Sequence, residues 1–112
     1  MENNYNHIFA TRTKALTLLI INGLSDLPYS DKVSVIRKQI FRSASSTAAN
    51  YRAMCRASSN KEKYAKICIV VEEADETLFW LEIIQELKMI CNEAVESMIV
   101  ESKEIVKVTS AY

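Results

Sequence analysis

Residues able to do chemistry are few in this chain, and their spacing argues against most of the chemistry. The only histidine is His7. A carboxylate-bridged di-iron centre inside a helical bundle needs a Glu-x-x-His pair on each of two helices, whereas Asn4 stands three residues before His7. His7 therefore reads as an exposed terminal residue, and no metal or cofactor ligand is assigned. The three cysteines, Cys55, Cys68 and Cys91, form no CxxC pair. With no second histidine to serve as base, cysteine catalysis has little support. Cys55 and Cys68 fall beside core positions of helical patterns, as buried reduced thiols do.

The carboxylates are more numerous. In Val71-Glu72-Glu73-Ala74-Asp75-Glu76 they point to different sides of one helix, with Glu73 on the side of Trp80 and Ile84. A carboxylate in apolar surroundings must find a partner or shift its pKa. The arginines upstream are the available partners, so a structural ion pair is the reading, not a catalytic acid. No catalytic residue is assigned, and the chain is read as not an enzyme.

Cations offer a different chemistry. Lys38, Arg42, Arg52 and Arg56 share one stripe of a helix. Such a stripe is a solvated or ion-pairing face, or else a row of contacts to nucleic-acid phosphates. Net charge is zero, so no whole-molecule field draws the protein to polyanions or anionic membranes. The charge is unevenly placed, however. Eight basic residues and only Glu62 lie between Arg37 and Lys66, while ten acidic residues face Lys88 and Lys103 between Glu72 and Glu104. Complementarity between helices accounts for this, with a basic partner-binding surface as the alternative.

The elements that must position these groups are helices. One Gly and one Pro in 112 residues leave little turn chemistry, and good helix formers dominate. Helical periodicity predicts helices over about 5–22, 31–57, 60–87 and 93–109 in a single domain, 1–112. Gly23 is expected to stop the first, before a loop through Pro28. Ser30 is an expected N-cap, and Ser59 with Glu62 has the spacing of a capping box. The short connection there makes the second and third helices antiparallel. The fourth is expected to fray at Ser110-Ala111-Tyr112.

Faces follow from the 3.6-residue period. On the second helix Val33, Ile36, Ile40, Ala44, Thr47, Tyr51 and Met54 form the core side. A ridge of mostly small residues, Gln39, Ser43, Ser46, Asn50, Ala53 and Ala57, lies beside it, fit either for close packing in the bundle or for a subunit contact. On the third helix Ile67, Val71, Ala74, Leu78 and Leu81 form one stripe, and Ile69, Trp80, Ile84 and Leu87 lie well round the cylinder. That second stripe either covers the remaining helices or, as expected from so many apolar positions, buries itself against another subunit. No apolar run is long enough to span a bilayer, and a reduced, cytoplasmic protein is expected.

Long strings then carry a resemblance. Arg42-Ser43 followed by Ser46, Ala49-Asn50-Tyr51-Arg52-Ala53 and Arg56-Ala57, then Val71-Glu72-Glu73-Ala74-Asp75-Glu76-Thr77 with Phe79-Trp80-Leu81-Glu82, resemble the bacterial four helix bundle protein family, also called the S23 or 23S rRNA intervening-sequence protein family. The likeness is close over the second and third helices and extends to the rest by layout. It implies an all-α, antiparallel up-down four-helix bundle assembled into a ring-like homopentamer. Ser46, Asn50, Tyr51, Arg52, Glu72, Glu73, Asp75 and Glu76 then form the family motif's structural network. The related accessory protein of diversity-generating retroelements is a basic pentamer that binds nucleic acid and a reverse transcriptase, and this chain departs from it in being neutral. It also has Ala48 where many members have Gly or Pro, and lacks a Glu-Gly that follows the Asn motif in another branch.

The function expected is therefore that of a non-enzymatic oligomeric bundle with no cofactor. Its partners would be copies of itself and RNA or DNA held by Lys38, Arg42, Arg52 and Arg56. The alternatives are a scaffold for another protein, with no nucleic acid, and, less favoured, a cofactor-binding bundle.

Overall fold

Two serines start two of the helices. Ser30 and Ser59 take extended backbone, and their hydroxyls accept from the amides of Val33 and Glu62, each at 3.1 Å. These bonds satisfy amides that a helix's first turn leaves without partners. Glu62 reaches back to Ser58, at 3.4 Å from its amide and 3.3 Å from its hydroxyl, one residue earlier than the capping box predicts.

The computed structural model describes residues 4–112; the first three residues of the expected domain lie outside that range. Four helices follow one another: α1 (Asn4–Leu24), α2 (Asp31–Cys55), α3 (Asn60–Glu86) and α4 (Asn92–Ser110). Each packs on its neighbours in sequence, and α4 returns to α1 to close the square. The α2–α3 pair is the most closely packed and α1–α4 the least. The result is an antiparallel up-down four-helix bundle with extents of 45 × 23 × 19 Å.

Gly23 does not stop α1. The helix runs through it to Leu24, and Ser25 N still donates to Ile21 O at 3.0 Å. A Cβ at Gly23 would lie 2.9 Å from Met98 Cε, the flexible end of an α4 side chain. The end of α1 is met instead by Arg37 of α2, whose Nη1 donates to the carbonyls of Leu24 and Leu27 at 3.1 Å and Ser25 at 3.4 Å. These carbonyls include ones the helix end leaves open. The C-terminus is likewise anchored, not frayed: Tyr112 donates to Asn6 Oδ1 at 2.7 Å and its hydroxyl also bonds that of fully buried Tyr51.

The core side of α2 is buried from Ile36 to Met54, with Val33 only half-buried at its start. On α3 the buried stripe is Ile67, Val70, Ala74, Thr77, Leu81 and Ile84, while Val71 and Leu78 are half-buried. The helix is thus turned by about 50° from the expected face, half of one residue's step. The cause is its close partnership with α2, where Ser43, a small residue of the predicted ridge, lets Thr77 approach to a 2.9 Å hydrogen bond. The turn carries Ile84 into the core at zero exposure, so it is no part of a subunit interface.

The interior also holds a run of hydroxyls. Thr13, Thr17, Ser43, Thr47, Thr77, Ser102 and Thr109 are all buried. Most return their proton to a carbonyl of their own helix, as Thr47 does to Ser43 O at 2.8 Å and Thr109 to Ile105 O at 2.8 Å, which lets them sit among apolar neighbours.

Candidate functional site

The α2 stripe is exposed along its length, and the structure divides its four cations. Arg42 is committed. Its Nη1 stands 3.1 and 3.3 Å from the two carboxylate oxygens of Glu73, and its Nη2 bonds Glu76 Oε2, so it ties α2 to α3. Its pKa is pushed further up by those bonds, Glu76 first and then Glu73, and that of Glu76 is held down chiefly by the bond from Arg42. Trp80 Nε1 donates to Glu76 Oε2 at 3.2 Å. The expected pairing of Glu73 with an arginine of the second helix is thus present, and Arg42 alone of the four cations is ion-paired with a described residue.

Lys38, Arg52 and Arg56 are exposed and form no ion pair with any described residue. From Lys38 to Arg56, the residue that caps the end of α2, is 18 steps, about 27 Å at 1.5 Å per residue. The α2 and α4 helices sit at diagonal corners, and carboxylates of Glu93 and Glu96 rim a shallow groove between α4 and α1. The exposed cations thus lie on the α2 side and these carboxylates on the diagonal one.

Beside the stripe, α3 presents apolar side chains that the chain itself leaves uncovered. Ile69 is 37 % exposed, Phe79 50 % and Leu87 44 %, with Val35 of α2 at 59 %. Trp80 is half-buried, its ring edge-on to Phe79 with centroids 5.0 Å apart. Of the expected interface Ile69, Trp80 and Leu87 remain on the surface and Ile84 does not.

The eight residues of the expected motif network do not form one network. Glu73 and Glu76 meet Arg42. Asn50 bonds Ser46 within α2, its Nδ2 2.9 Å from the carbonyl and 3.1 Å from the hydroxyl oxygen. Tyr51 joins Asn6 and Tyr112 at the end of the bundle. Arg52, Glu72 and Asp75 are exposed and hydrogen-bond to none of these. Two further side chains do structural work that periodicity alone did not single out. Arg12 and Glu101 form a bidentate pair across α1 and α4, 2.7 and 2.8 Å, and Arg12 lies 4.6 Å over the ring of Phe9. That pair holds the Glu101 carboxyl below its usual range.

His7 is exposed, and no group of three or more metal-ligating side chains occurs among the described residues. Cys55 is half-buried, and Cys68 and Cys91 are exposed rather than buried. No helix among the described residues is long and apolar enough to cross a membrane.

Known proteins resemble the chain at both levels. A solved structure, a protein of unknown function from the S23 ribosomal protein family of Bacteroides thetaiotaomicron, shares 31 % sequence identity with a TM-score of 0.83, over 95 % of each chain. No curated protein matches. The family model described as 23S rRNA-intervening sequence protein matches residues 6–111. With nearly the whole chain matched in sequence and fold, the protein belongs to the 23S rRNA-intervening sequence protein family.

Proposed function

We propose that this protein acts by assembly: it is a non-enzymatic, ring-forming homo-oligomer, a pentamer by family resemblance, that presents its α2 stripe to RNA or DNA. The observation that carries the reading is the uncovered apolar surface of Ile69, Phe79 and Leu87 beside half-buried Trp80. Exposed apolar side chains repeated along one helix of a small bundle, with Phe79 and Trp80 in contact, favour an interaction surface. A second copy covers them and leaves the outer side of α2 free.

Assembly is also what makes the cations useful. Three phosphate contacts per chain give only shallow, weak binding, because affinity and its salt slope scale with the number of phosphates neutralised. A ring repeats Lys38, Arg52 and Arg56 in every subunit and multiplies the contacts through avidity. Their freedom from carboxylate partners favours nucleic acid over a purely protein scaffold, for which Phe79 and Leu87 would be the docking residues. Three cysteines, two of them exposed, suit a reducing, cytoplasmic setting.

Light scattering at micromolar protein tests the first half, with a multiple of the chain mass expected; a strict monomer overturns it. Titration with structured RNA and with duplex DNA at rising salt tests the second. Binding that weakens steeply with salt and is lost in a Lys38→Ala, Arg52→Ala, Arg56→Ala variant is expected. An oligomer with no binding at low salt leaves the protein scaffold.

A further inference from the structure

We propose that the centre of the bundle is a binding site for one ordered water molecule, held by Ser102 of α4 and the threonine hydroxyls that face it from the other helices. A cavity of about 10 Å³ lies there, and its polar lining is Thr13 and Thr17 of α1, Thr47 of α2, Thr77 of α3 and Ser102. On this measure of volume, about 10–15 Å³ accommodates one water, provided two to four polar partners surround it.

Ser102 supplies the decisive observation. It is 2 % exposed, yet among the seven buried hydroxyl residues it alone makes no hydrogen bond to a described residue. Its oxygen is not fully occluded, because no fully occluded side-chain polar atom among the described residues lacks a partner, and Ser102 is one of the residues that line the cavity. A buried hydroxyl left without any bond is unfavourable, and a water at hydrogen-bonding distance removes that penalty.

The donor and acceptor inventory closes around such a molecule. Thr13 gives its proton to Ala10 O at 3.0 Å and Thr47 to Ser43 O. Thr17 lies 3.0 Å from Ala44 O, and Thr77 2.9 Å from Glu73 O. Their protons are engaged while oxygen lone pairs remain, so each can accept but none has a proton to offer. Ser102 has a free proton. The water accepts from Ser102 and donates to two threonine oxygens, which gives it three bonds. It thereby ties α4 into the interior of a bundle whose α1–α4 contact is the sparsest.

The test is a crystal structure of the protein at a resolution that places waters, together with NMR cross-relaxation between water and the Ser102 and Thr77 side chains in solution. Expected are a density peak within about 2.7–3.2 Å of Ser102 Oγ and a long-lived water signal, both lost or sharply weakened in Ser102→Ala. An empty centre overturns the proposal. So does a Ser102 hydroxyl turned to donate to Met98 O, four residues back, as Thr17, Thr47 and Thr109 do in their own helices.

Discussion

Arg42 of α2 holds Glu73 of α3 through a single nitrogen, Nη1 standing 3.1 Å from Oε1 and 3.3 Å from Oε2, while its other nitrogen is left to bond Glu76. The guanidinium fork thus spans two carboxylates one helical turn apart and clamps the most closely packed pair of helices.

The clamp has a pH signature. The bond from Arg42 holds the Glu76 pKa below its ordinary 4.5. A group whose folded pKa is depressed stabilises above its unfolded pKa and loses that contribution as pH falls through the folded value. With the Arg42 side chain 48 % exposed, solvent screening keeps the effect near that of a surface pair, about 0.2–1 kcal/mol. Arg42→Ala is expected to lower the urea-unfolding free energy by that amount at neutral pH. The gap to the parent protein should narrow as pH falls below about 4.5, since the Arg12–Glu101 pair is common to both proteins. A gap that persists unchanged in acid would show that Arg42 acts by packing alone.

Ile84 and Leu87 stand on the same helix but do different work. Ile84 is fully buried and Leu87 is 44 % exposed. Ile84→Ala should destabilise the folded chain by about 2–5 kcal/mol, as buried Ile-to-Ala changes do. Leu87→Ser should change the stability of the dissociated chain by no more than about 0.5 kcal/mol while reducing the mass seen by light scattering. Urea curves taken over a range of protein concentrations separate the two, because only association makes the midpoint depend on concentration.

How far the molecule can be read from its residues is shown by two turns. Helix number, order and most of the α2 core side follow from a 3.6-residue period, and Ser30 and Ser59 announce their caps chemically. Gly23 and Lys88 do not behave so simply. The one glycine, the residue best suited to end a helix, lies inside α1 with the Met98 methyl over it. The left-handed residue that does end a helix is Lys88, at φ 53°. Local signals report what a residue permits, whereas packing decides where the permission is used. The same holds for Arg37 and Arg42. An arginine partner for Glu73 is expected from the residues, but that it is Arg42, shared with Glu76, and that Arg37 meets three carbonyls, is evident only with the helices side by side.

Arg37 is expected to matter more than its surface charge implies. Its Nη1 serves three carbonyls at the end of α1 and the loop behind it. Truncation leaves them to water where they are accessible and unpaired where they are half-buried, at about 1–3 kcal/mol for a lost partner. Arg37→Ala should therefore lower the urea midpoint more than Lys38→Ala, whose side chain is exposed. Amide exchange should rise in the last turn of α1 and in residues 25–29. Equal effects of the two substitutions would rule the capping role out.

The turn after α3 supplies a stabilising change. Met89 N donates to Ile84 O and Lys88 N to Gln85 O, each at 3.1 Å, the paired bonds of a helix that closes through a left-handed residue. Glycine normally fills that position, because a Cβ there crowds the backbone at about 1–2 kcal/mol. Lys88 is exposed, so its side chain sacrifices little when removed. Lys88→Gly relieves the crowding but adds freedom to the unfolded chain, for a net gain of about 0–1.5 kcal/mol. Lys88→Val should move the other way, since a β-branched side chain tolerates this backbone least. Gly23→Ala is the complementary change inside α1, where alanine is worth about 0.5–1 kcal/mol in helix propensity. The Met98 methyl, 2.9 Å from the new Cβ, must swing aside, which its flexible thioether permits at some loss of that gain. The order of urea midpoints should be Lys88→Gly above the parent, Gly23→Ala near it and Lys88→Val below. A Lys88→Gly protein no more stable than its parent would mean that the α3 turn relaxes out of the left-handed conformation in solution.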